Sequence, residues 1–573
     1  MAQGLVPSQF ADVRPGGGDS SPNDLIVAGN QLFFEATGDP AFGNELYRTD
    51  GTAAGTTLVR DISPGGADSF SRLFAALGDT VVFVSDDGTD TIGEEVWRSD
   101  GTAAGTGPVK DIRPGPVGAG VGRFAAFNGF LYFSADDGIN GAELWRTDGT
   151  ETGTTLFADI NLTAAGAGSN PGGTDGTAVM DGFLYFRAND GTNGTELWRT
   201  NGQPGGTTMV ANINGAANAG SFPDDLTVFD GALYFEASDG TDGTELWRSD
   251  GTGAGTTPVA DINPAANVGS FPGPLTVVGD ELYFSADDGA SGTELYRTDG
   301  TGPGTALVAD INPGPDDSNP SDIVPLNGGV VFDANSSEFN SELHRSDGTT
   351  AGTALVKEIA PSEFEGASLD NLVPLGGLVY FSADDQDTGD ELWRTDGTAA
   401  GTVRVADVNP GGNDFDPDDL TPFQGTLFFS GEDAVSGDEL WRLSEPPAVD
   451  AKAPVLTLET PGTKKLKRNL NLGVSCDEAC EISGSGKVVA KPAKKGNRPL
   501  ASRAKTQRYK LSGPPISLAA GAQGELVLSL SKKSFKKAKK AKRNGAKLKA
   551  QITITASDAA NNAADQPLKL KLG

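Results

Sequence analysis

The chain has 573 residues, and its 79 glycines and 34 prolines follow no Gly-X-Y period, which excludes a collagen-like fibre and favours many short strands. Residues 1–443 carry 18 Lys and Arg against 69 Asp and Glu (net −51), whereas residues 444–573 carry 26 against 9 (net +17). The acidic part excludes nucleic acid as a partner because it repels phosphate, and since no stretch approaches ~18 apolar residues we expect no membrane span.

A motif reading Glu-Leu-Trp-Arg-Thr-Asp-Gly-Thr-x-x-Gly-Thr recurs through the acidic part at steps of 48 to 53 residues. A fixed period near 50 residues is the signature of a repeat architecture. The glutamate of the motif falls at Glu45, Glu95, Glu143, Glu196, Glu245, Glu294, Glu342, Glu391 and Glu439.

Each unit reads as four strands, as the third unit shows. Short apolar runs at residues 122–127, 130–135, 143–147 and 154–160 are separated by Asn-Gly, Asp-Asp-Gly and Asp-Gly-Thr turn signals. The runs are apolar on both faces, which is typical of sheets stacked face to face. This pattern predicts the four-stranded blades of a β-propeller.

The two ends of the repeat array complement each other. Residues 4–15 match the fourth strand of a unit, whereas the array stops at residues 439–442, a third strand with no fourth strand after it. We therefore predict an all-β, nine-bladed propeller over residues 1–443 whose N-terminal strand completes the last blade and removes the sheet edges. Eight blades and one stray unit remain the alternative.

The motif at residues 391–402 resembles the ELWxxDGT repeats of exported bacterial proteins. Departures occur at Asn201, Gln203 and His344 and at the end of the last copy. The resemblance implies an extracellular or cell-surface protein, although no signal peptide is visible. It brings no known reaction with it, so no catalytic residue is carried over.

The basic part predicts a second domain. Residues 444–454 form a proline-containing linker, and residues 455–573 show strand patterns and a Lys-rich stretch at helical spacing, which predict a β-sandwich with a short helix. Residues 555–564 resemble the last strand region of Ig-like domains on bacterial surface proteins. Cys476 and Cys480 either form a disulfide or stay as two free thiols.

Acidic residues of each unit are predicted to gather on one rim of the ring. In the third unit, Glu143 is expected opposite Asp159, with the Asp136-Asp137 turn at the same end. Clustered carboxylates beside glycine turns suit Ca²⁺, although Asp is also an ordinary turn former. The candidate calcium ligands are Asp136, Asp137, Glu143 and Asp159, with Asp287, Asp288, Glu294 and Asp310 in unit six and Asp239, Glu245 and Asp261 in unit five.

The aromatic residue of the motif is expected to pack between blades, and its arginine to pair with an aspartate. Function is expected where units differ. Unit four has the longest spacing, with an insertion around residues 163–177, and unit seven carries His344.

We find no catalytic constellation and expect a non-enzyme. The leading hypothesis is a surface propeller that binds a glycan or protein partner, with Ca²⁺ as the one possible cofactor, while the basic domain contacts anionic envelope polymers. A carbohydrate hydrolase or lyase using rim carboxylates is one alternative, because paired carboxylates need no histidine. A purely structural spacer is the other.

Overall fold

The fold comes from a computed structural model, which divides the chain into two compact units, Met1–Ser444 and Glu445–Gly573. The described residues are 6–16, 18–39, 41–89, 91–172, 176–265, 267–336, 341–360, 366–410, 412–444, 456–458, 466–476, 480–491, 506–518, 523–544, 546–557 and 563–572. The predicted linker at 444–454 lies outside them except for Ser444.

The first unit contains nine antiparallel four-stranded sheets, each strand pairing with the next along the chain. Blades one to three are Asn23–Ala28 (β2), Gln31–Thr37 (β3), Asn44–Thr49 (β4), Thr57–Arg60 (β5); Arg72–Leu77 (β6), Thr80–Ser85 (β7), Glu95–Ser99 (β8), Gly107–Lys110 (β9); and Ala125–Phe127 (β10), Phe130–Asp136 (β11), Ala142–Thr147 (β12), Thr155–Ala158 (β13). Blades four to six are Thr177–Met180 (β14), Phe183–Asn189 (β15), Thr195–Thr200 (β16), Thr207–Ala211 (β17); Asp224–Phe229 (β18), Ala232–Ser238 (β19), Thr244–Ser249 (β20), Thr257–Ala260 (β21); and Thr276–Val278 (β22), Glu281–Asp287 (β23), Thr293–Thr298 (β24), Ala306–Ala309 (β25). Blades seven and eight are Ser321–Leu326 (β26), Gly329–Ala334 (β27), Glu342–Ser346 (β28), Ala354–Leu355 (β29); and Asp370–Leu375 (β30), Leu378–Asp384 (β31), Asp390–Thr395 (β32), Val403–Arg404 (β33). Two 3₁₀ turns, Ala53–Gly55 and Thr350–Gly352, follow third strands.

The ninth blade closes the ring with a strand from the other end of the chain. It consists of Asp418–Phe423 (β34), Thr426–Asp433 (β35), Gly437–Ser444 (β36) and the N-terminal strand Val6–Ala11 (β1). Strand β1 runs antiparallel to β36, with Val6 opposite Ser444 and Gln9 opposite Trp441. The nine-bladed propeller and its N-terminal closure are thus confirmed.

Each pair of neighbouring blades shares a core of apolar side chains. Between blades one and two, Phe33 and Leu46 pack with Val81, Phe83 and Trp97, all at most 2% exposed. Across the closure, Phe10, Phe428 and Leu440 of blade nine pack with residues of blade one. The motif aromatics pack between blades, as expected, and burial of this apolar surface is the main force that holds the ring together.

The motif arginine makes a contact that the sequence did not predict. Arg98 donates to the carbonyl of Gly149 at 3.0 Å, and Arg442 donates to that of Gly51 at 3.4 Å. Both carbonyls belong to the Asp-Gly-Thr turn of the next blade, so the hydrogen bond goes to the backbone, while Arg98 also helps to lower the pKa of Asp100 in its own unit. A backbone carbonyl is a fixed acceptor, which lets one arginine tie two blades together.

The second unit is also all-β. Its strands are Leu456–Leu458 (β37), Asn469–Cys476 (β38), Cys480–Lys491 (β39), Gln507–Ser512 (β40), Ile516–Leu518 (β41), Gln523–Leu530 (β42), Lys547–Ser557 (β43) and Ala563–Leu572 (β44). They join in one curled eight-stranded sheet rather than in two separate ones. Cys476 and Cys480 are joined by a disulfide bond.

The Lys-rich stretch forms the helix Lys532–Arg543 (α1), capped by Ser531, whose hydroxyl accepts from the N–H of Ser534. Ala538 is fully buried against the sheet, and Phe535 packs beside it. In the described part of the chain, no helix has the length and apolar character needed to cross a bilayer.

Candidate functional site

The motif glutamate is a buried structural clamp. Glu143 is fully buried, and its two carboxylate oxygens accept from the N–H groups of Ile160 (2.8 Å), Asn161 (3.2 Å) and Ser169 (2.9 Å) and from the hydroxyl of Ser169 (2.5 Å). These donors lie in the loop that leads to the next blade. The carboxylate therefore satisfies backbone groups that a buried loop would otherwise leave unpaired.

The same clamp recurs around the ring. Each of the nine motif glutamates is at most 2% exposed and accepts from an N–H group 17 residues further along, or from Val13 in the case of Glu439. Burial raises the pKa of Glu439 to about 7, while the N–H groups of Val13 and Arg14 act in the opposite direction.

The aspartates predicted as calcium ligands in blade three are engaged in their own turns. Asp136 accepts from the N–H of Gly138 at 2.7 Å and forms an ion pair with Arg113 at 2.6 Å. Asp137 accepts from two backbone N–H groups, and Asp159 is exposed beyond the end of β13. In blade six, Asp287 and Asp288 accept from backbone N–H groups of the equivalent turn. Glu294 is the clamp of this blade, and Asp310 accepts from the N–H of Gly314 at 3.5 Å.

In blade five, all three predicted ligands line one cavity. A cavity of about 180 Å³ is lined by Asp239, Asp242, Glu245 and Asp261. Among the described residues, no group of three or more Asp, Glu, His or Cys is arranged to hold a metal ion. Calcium binding stays a prediction.

The two ends of the ring differ in chemistry. We call the loop face the end that carries the turns between second and third strands and the loops between blades; the other end carries the Asp-Gly-Thr turns. Of the large apolar side chains described as exposed, most lie on the loop face: Phe70, Val117, Ile139, Leu162, Phe222, Val268, Phe271 and Val435. An exposed apolar surface concentrated on one face is typical of an interaction surface.

Three phenylalanines on the loop face hold an unusual backbone conformation. Phe70, Phe222 and Phe271 are 60%, 60% and 63% exposed, and their φ angles are 49°, 49° and 46°. They occupy the same position in blades two, five and six, directly before the first strand. The N–H groups of Phe222 and Phe271 each donate at 3.1 Å to a carbonyl at the start of the third strand, which holds the left-handed conformation. Ser21, Asn170, Asn319, Ser368 and Asp416 occupy the equivalent position with φ angles of 44° to 47°, so the conformation belongs to the turn of the repeat, and what distinguishes blades two, five and six is the exposed aromatic side chain.

The first strands of neighbouring blades pack against each other, so they surround the axis of the ring and enclose a central channel. Near the loop face, most blades place acidic residues along this channel. Burial raises the pKa of Glu35 to about 8 and those of Glu236 and Asp333 to about 7, with neighbouring carboxylates adding to the effect. Blades two to four differ because they contribute Arg72, Arg123 and Arg187.

A cavity opens beside Arg123 and Arg187. Its volume is about 620 Å³. It is lined by Leu73, Gly122, Arg123, Phe124, Ser134, Asn170, Pro171, Gly172, Gly176, Thr177 and Arg187. Part of its wall is the insertion before blade four, where the sequence predicted that function would lie. The sequence did not single out the two arginines, although comparison of equivalent positions between units would have found them.

His344 is buried between the blades' aromatic side chains. It is 3% exposed, stacks near Phe332 with ring centroids 5.9 Å apart, and contacts the carbonyl of Glu342 through Nδ1 at 2.9 Å. Burial lowers its pKa. It therefore fills the aromatic position of its unit.

No family model matches the chain, and no curated protein matches it. Similar solved structures include one from work on two prolyl endopeptidases and inter-domain dynamics (12% identity, 83% of this chain and 55% of that chain, TM-score 0.37). Others are a puromycin-hydrolyzing peptidase from Mycobacterium tuberculosis (12% identity, 75% and 61%, TM-score 0.35) and prolyl oligopeptidase B from Galerina marginata (10% identity, 83% and 55%, TM-score 0.34). The chain spans little more than half the length of these proteins, and likenesses this distant carry no argument about its function.

Proposed function

We propose that this chain is an exported, non-catalytic binding protein whose propeller takes a glycan on its loop face. The observation that supports this most is the set of exposed phenylalanines, Phe70, Phe222 and Phe271, which occupy one position of the repeat on the loop face. Aromatic rings offer an apolar surface to the C–H faces of sugars, and their hydrophobic area is the usual anchor of a binding site.

A glycan array with the full chain tests this proposal. The variants Phe70→Ala, Phe222→Ala and Phe271→Ala, singly and combined, should weaken binding at least tenfold, because each removes one contact surface. Val277→Ala is the matched control, since Val277 is 41% exposed but lies within a first strand. Binding that survives the triple substitution would overturn the assignment to the loop face, and a wild type that binds no glycan would favour the spacer.

The second unit is proposed to hold the protein near anionic envelope polymers. Helix α1 exposes Lys536, Lys537, Lys539 and Lys540, and it carries basic residues in its last turn, where the helix dipole favours them. Replacing these four lysines by glutamate in the full chain should abolish co-sedimentation with an anionic polymer at low salt. Retention of the polymer by this variant would contradict the proposal.

A carbohydrate hydrolase remains the second candidate because of the channel carboxylates. Glu35, Glu236 and Asp333 have pKa values raised to about 7 or 8, the range that a general acid needs near neutral pH. Turnover of a polysaccharide that is lost on Glu236→Gln would support this candidate and exclude a purely binding role.

A further inference from the structure

The cavity at the loop face lies beside two blades where arginines occupy positions that hold acidic residues in other blades. The residue equivalent to Arg123 is Asp24 in blade one, Asp225 in blade five and Asp419 in blade nine. Likewise, Arg187 of blade four stands where blades one and five have Glu35 and Glu236. Blade seven also has an acid at this position, Asp333, whereas blade two has Val84 and blades three, six, eight and nine have serine. Arg187 is thus the one basic residue at this position of the second strands, and in the neighbouring blade Arg123 replaces an acid found in blades one, five and nine.

Arg187 is held in place by the protein. Its Nε donates to the carbonyl of Gly172 at 3.0 Å, and its Nη1 donates to Asp224 at 2.7 Å. These contacts use two of the five N–H donors of a guanidinium group, and the side chain lines the cavity. A half-buried arginine fixed on both sides is pre-organised to recognise an anion.

The rest of the lining adds apolar and polar surface. Phe124 and Leu73 form an apolar wall, while Ser134, Asn170 and Thr177 supply hydroxyl and amide groups. A volume of about 620 Å³ is in the usual range for a small-molecule site. Apolar surface, hydroxyl-bonding groups and two guanidinium groups, of which Arg187 is also paired with Asp224, together match a sugar that carries an anionic group.

We infer that this cavity binds a short glycan bearing a carboxylate or phosphate group, with Arg123 and Arg187 contacting the anion and Phe124 contacting the sugar ring. The inference rests on the proposed glycan-binding function and names its ligand class. Because the first part of the chain has a net charge of −51, a long polyanion is repelled, and the ligand is a short or terminal anionic sugar.

Calorimetric titration of the full chain tests the inference with three probes: trigalacturonate, the matched neutral galactose trisaccharide and glucose 1-phosphate. At least one anionic probe should bind ten times more tightly than the neutral one. Arg123→Gln should remove that advantage, and Arg187→Lys should reduce it while preserving the fold. Arg113→Gln is the control, since Arg113 pairs with Asp136 in a neighbouring loop outside the cavity and should leave binding unchanged.

The outcomes separate the two proposals. Tighter binding of trigalacturonate identifies a carboxylate ligand, and tighter binding of glucose 1-phosphate identifies a phosphate ligand. Equal binding of neutral and anionic probes, or an unchanged preference in Arg123→Gln, overturns the anionic site but leaves glycan binding standing. If neither these probes nor any glycan on the array binds, both proposals fail.

Discussion

The carboxylate of Glu439 accepts a hydrogen bond at 2.6 Å from the backbone N–H of Val13, 426 positions away in the sequence. A second bond joins it to the hydroxyl of Ser20 at 2.8 Å. The motif glutamate that fixes a loop between blades elsewhere here fixes the N-terminal strand to the last blade. We call the pairing of β1 with β36 the seam of the ring. The seam is therefore held by the same glutamate contacts as the loops that connect successive blades.

Glu439→Gln should open the seam, whereas Glu342→Gln should not. Both glutamates accept from a different backbone N–H group on each oxygen, so each substitution replaces one acceptor by an NH₂ group and leaves an N–H group unpaired, at a cost of about 1–3 kcal/mol. Only at the seam does that N–H belong to a segment, directly after β1, that has no covalent link to the rest of its blade. Hydrogen exchange should therefore accelerate in β1 for Glu439→Gln alone. Equal exchange in β1 for both variants would show that the clamp does not secure the closure.

The acidic channel should make the propeller more stable at mildly acidic pH. Burial raises the pKa of Glu35 from 4.5 to about 8, so the folded state keeps a proton that the unfolded chain has lost. The stability from this group is complete below about pH 4.5 and is lost as the pH rises through about 8. The melting temperature should fall over that interval.

Glu35→Gln isolates this effect. The Oε1 atom of Glu35 is buried without a hydrogen-bond partner, so a neutral side chain of the same shape should stabilise the protein at pH 8.5 by about 2–4 kcal/mol and change little at pH 5. Glu151→Gln removes the same charge from an exposed turn and should have almost no effect at either pH. A pH-independent gain in Glu35→Gln would contradict the argument.

The Asp-Gly-Thr turn should need an oxygen acceptor rather than a charge. Asp396 accepts from the N–H of Thr398 at 2.9 Å and from its hydroxyl at 2.6 Å. Blade four has Asn201 here, and its Oδ1 still accepts from the N–H of Gln203 at 2.9 Å. Asp396→Asn should thus be nearly neutral, whereas Asp396→Ala should destabilise by about 1 kcal/mol in chemical denaturation. An asparagine variant as unstable as the alanine variant would show that charge matters.

Calcium should have little effect on stability. A metal ion at Glu143 would have to displace the N–H and hydroxyl donors that already occupy both of its oxygens. We expect melting temperatures in excess Ca²⁺ and in excess chelator to agree within about 1 °C, since a bound cation would stabilise the folded state by mass action. A rise of several degrees with Ca²⁺, lost in Asp239→Asn, would instead place an ion in the blade-five cavity.

The repeat length and the mismatched ends were sufficient to predict the ring, because backbone pairing follows the apolar pattern and the turns. The role of Glu143 was not accessible in the same way. Counting along the hairpin placed it near Asp159, but the direction in which a carboxylate turns depends on tertiary packing. A serine 24 to 26 residues after several motif glutamates, as at Ser169, Ser221 and Ser318, was the available signal.

The cavity was harder to predict because it depends on side chains from three blades that lie close only after the ring closes. The sequence directed attention to the insertion before blade four, and that segment does form part of the wall. It gave no reason to connect Arg123 with Arg187, which are 64 positions apart and belong to separate units.

The same glutamate clamp closes the ring and joins successive blades, and this has a consequence for how the number of repeat units in such a gene changes. The clamp makes the same contacts between any two successive units, so it does not depend on how many units the ring contains. Duplication or loss of one whole unit by recombination therefore leaves the hydrogen bonds of the closure intact. Since the clamp does not set the number at nine, we expect that number to depend on how neighbouring blades pack, through the aromatic and aliphatic side chains between them. Selection on ring size should therefore act on the volume of these interblade residues and leave Glu439 untouched.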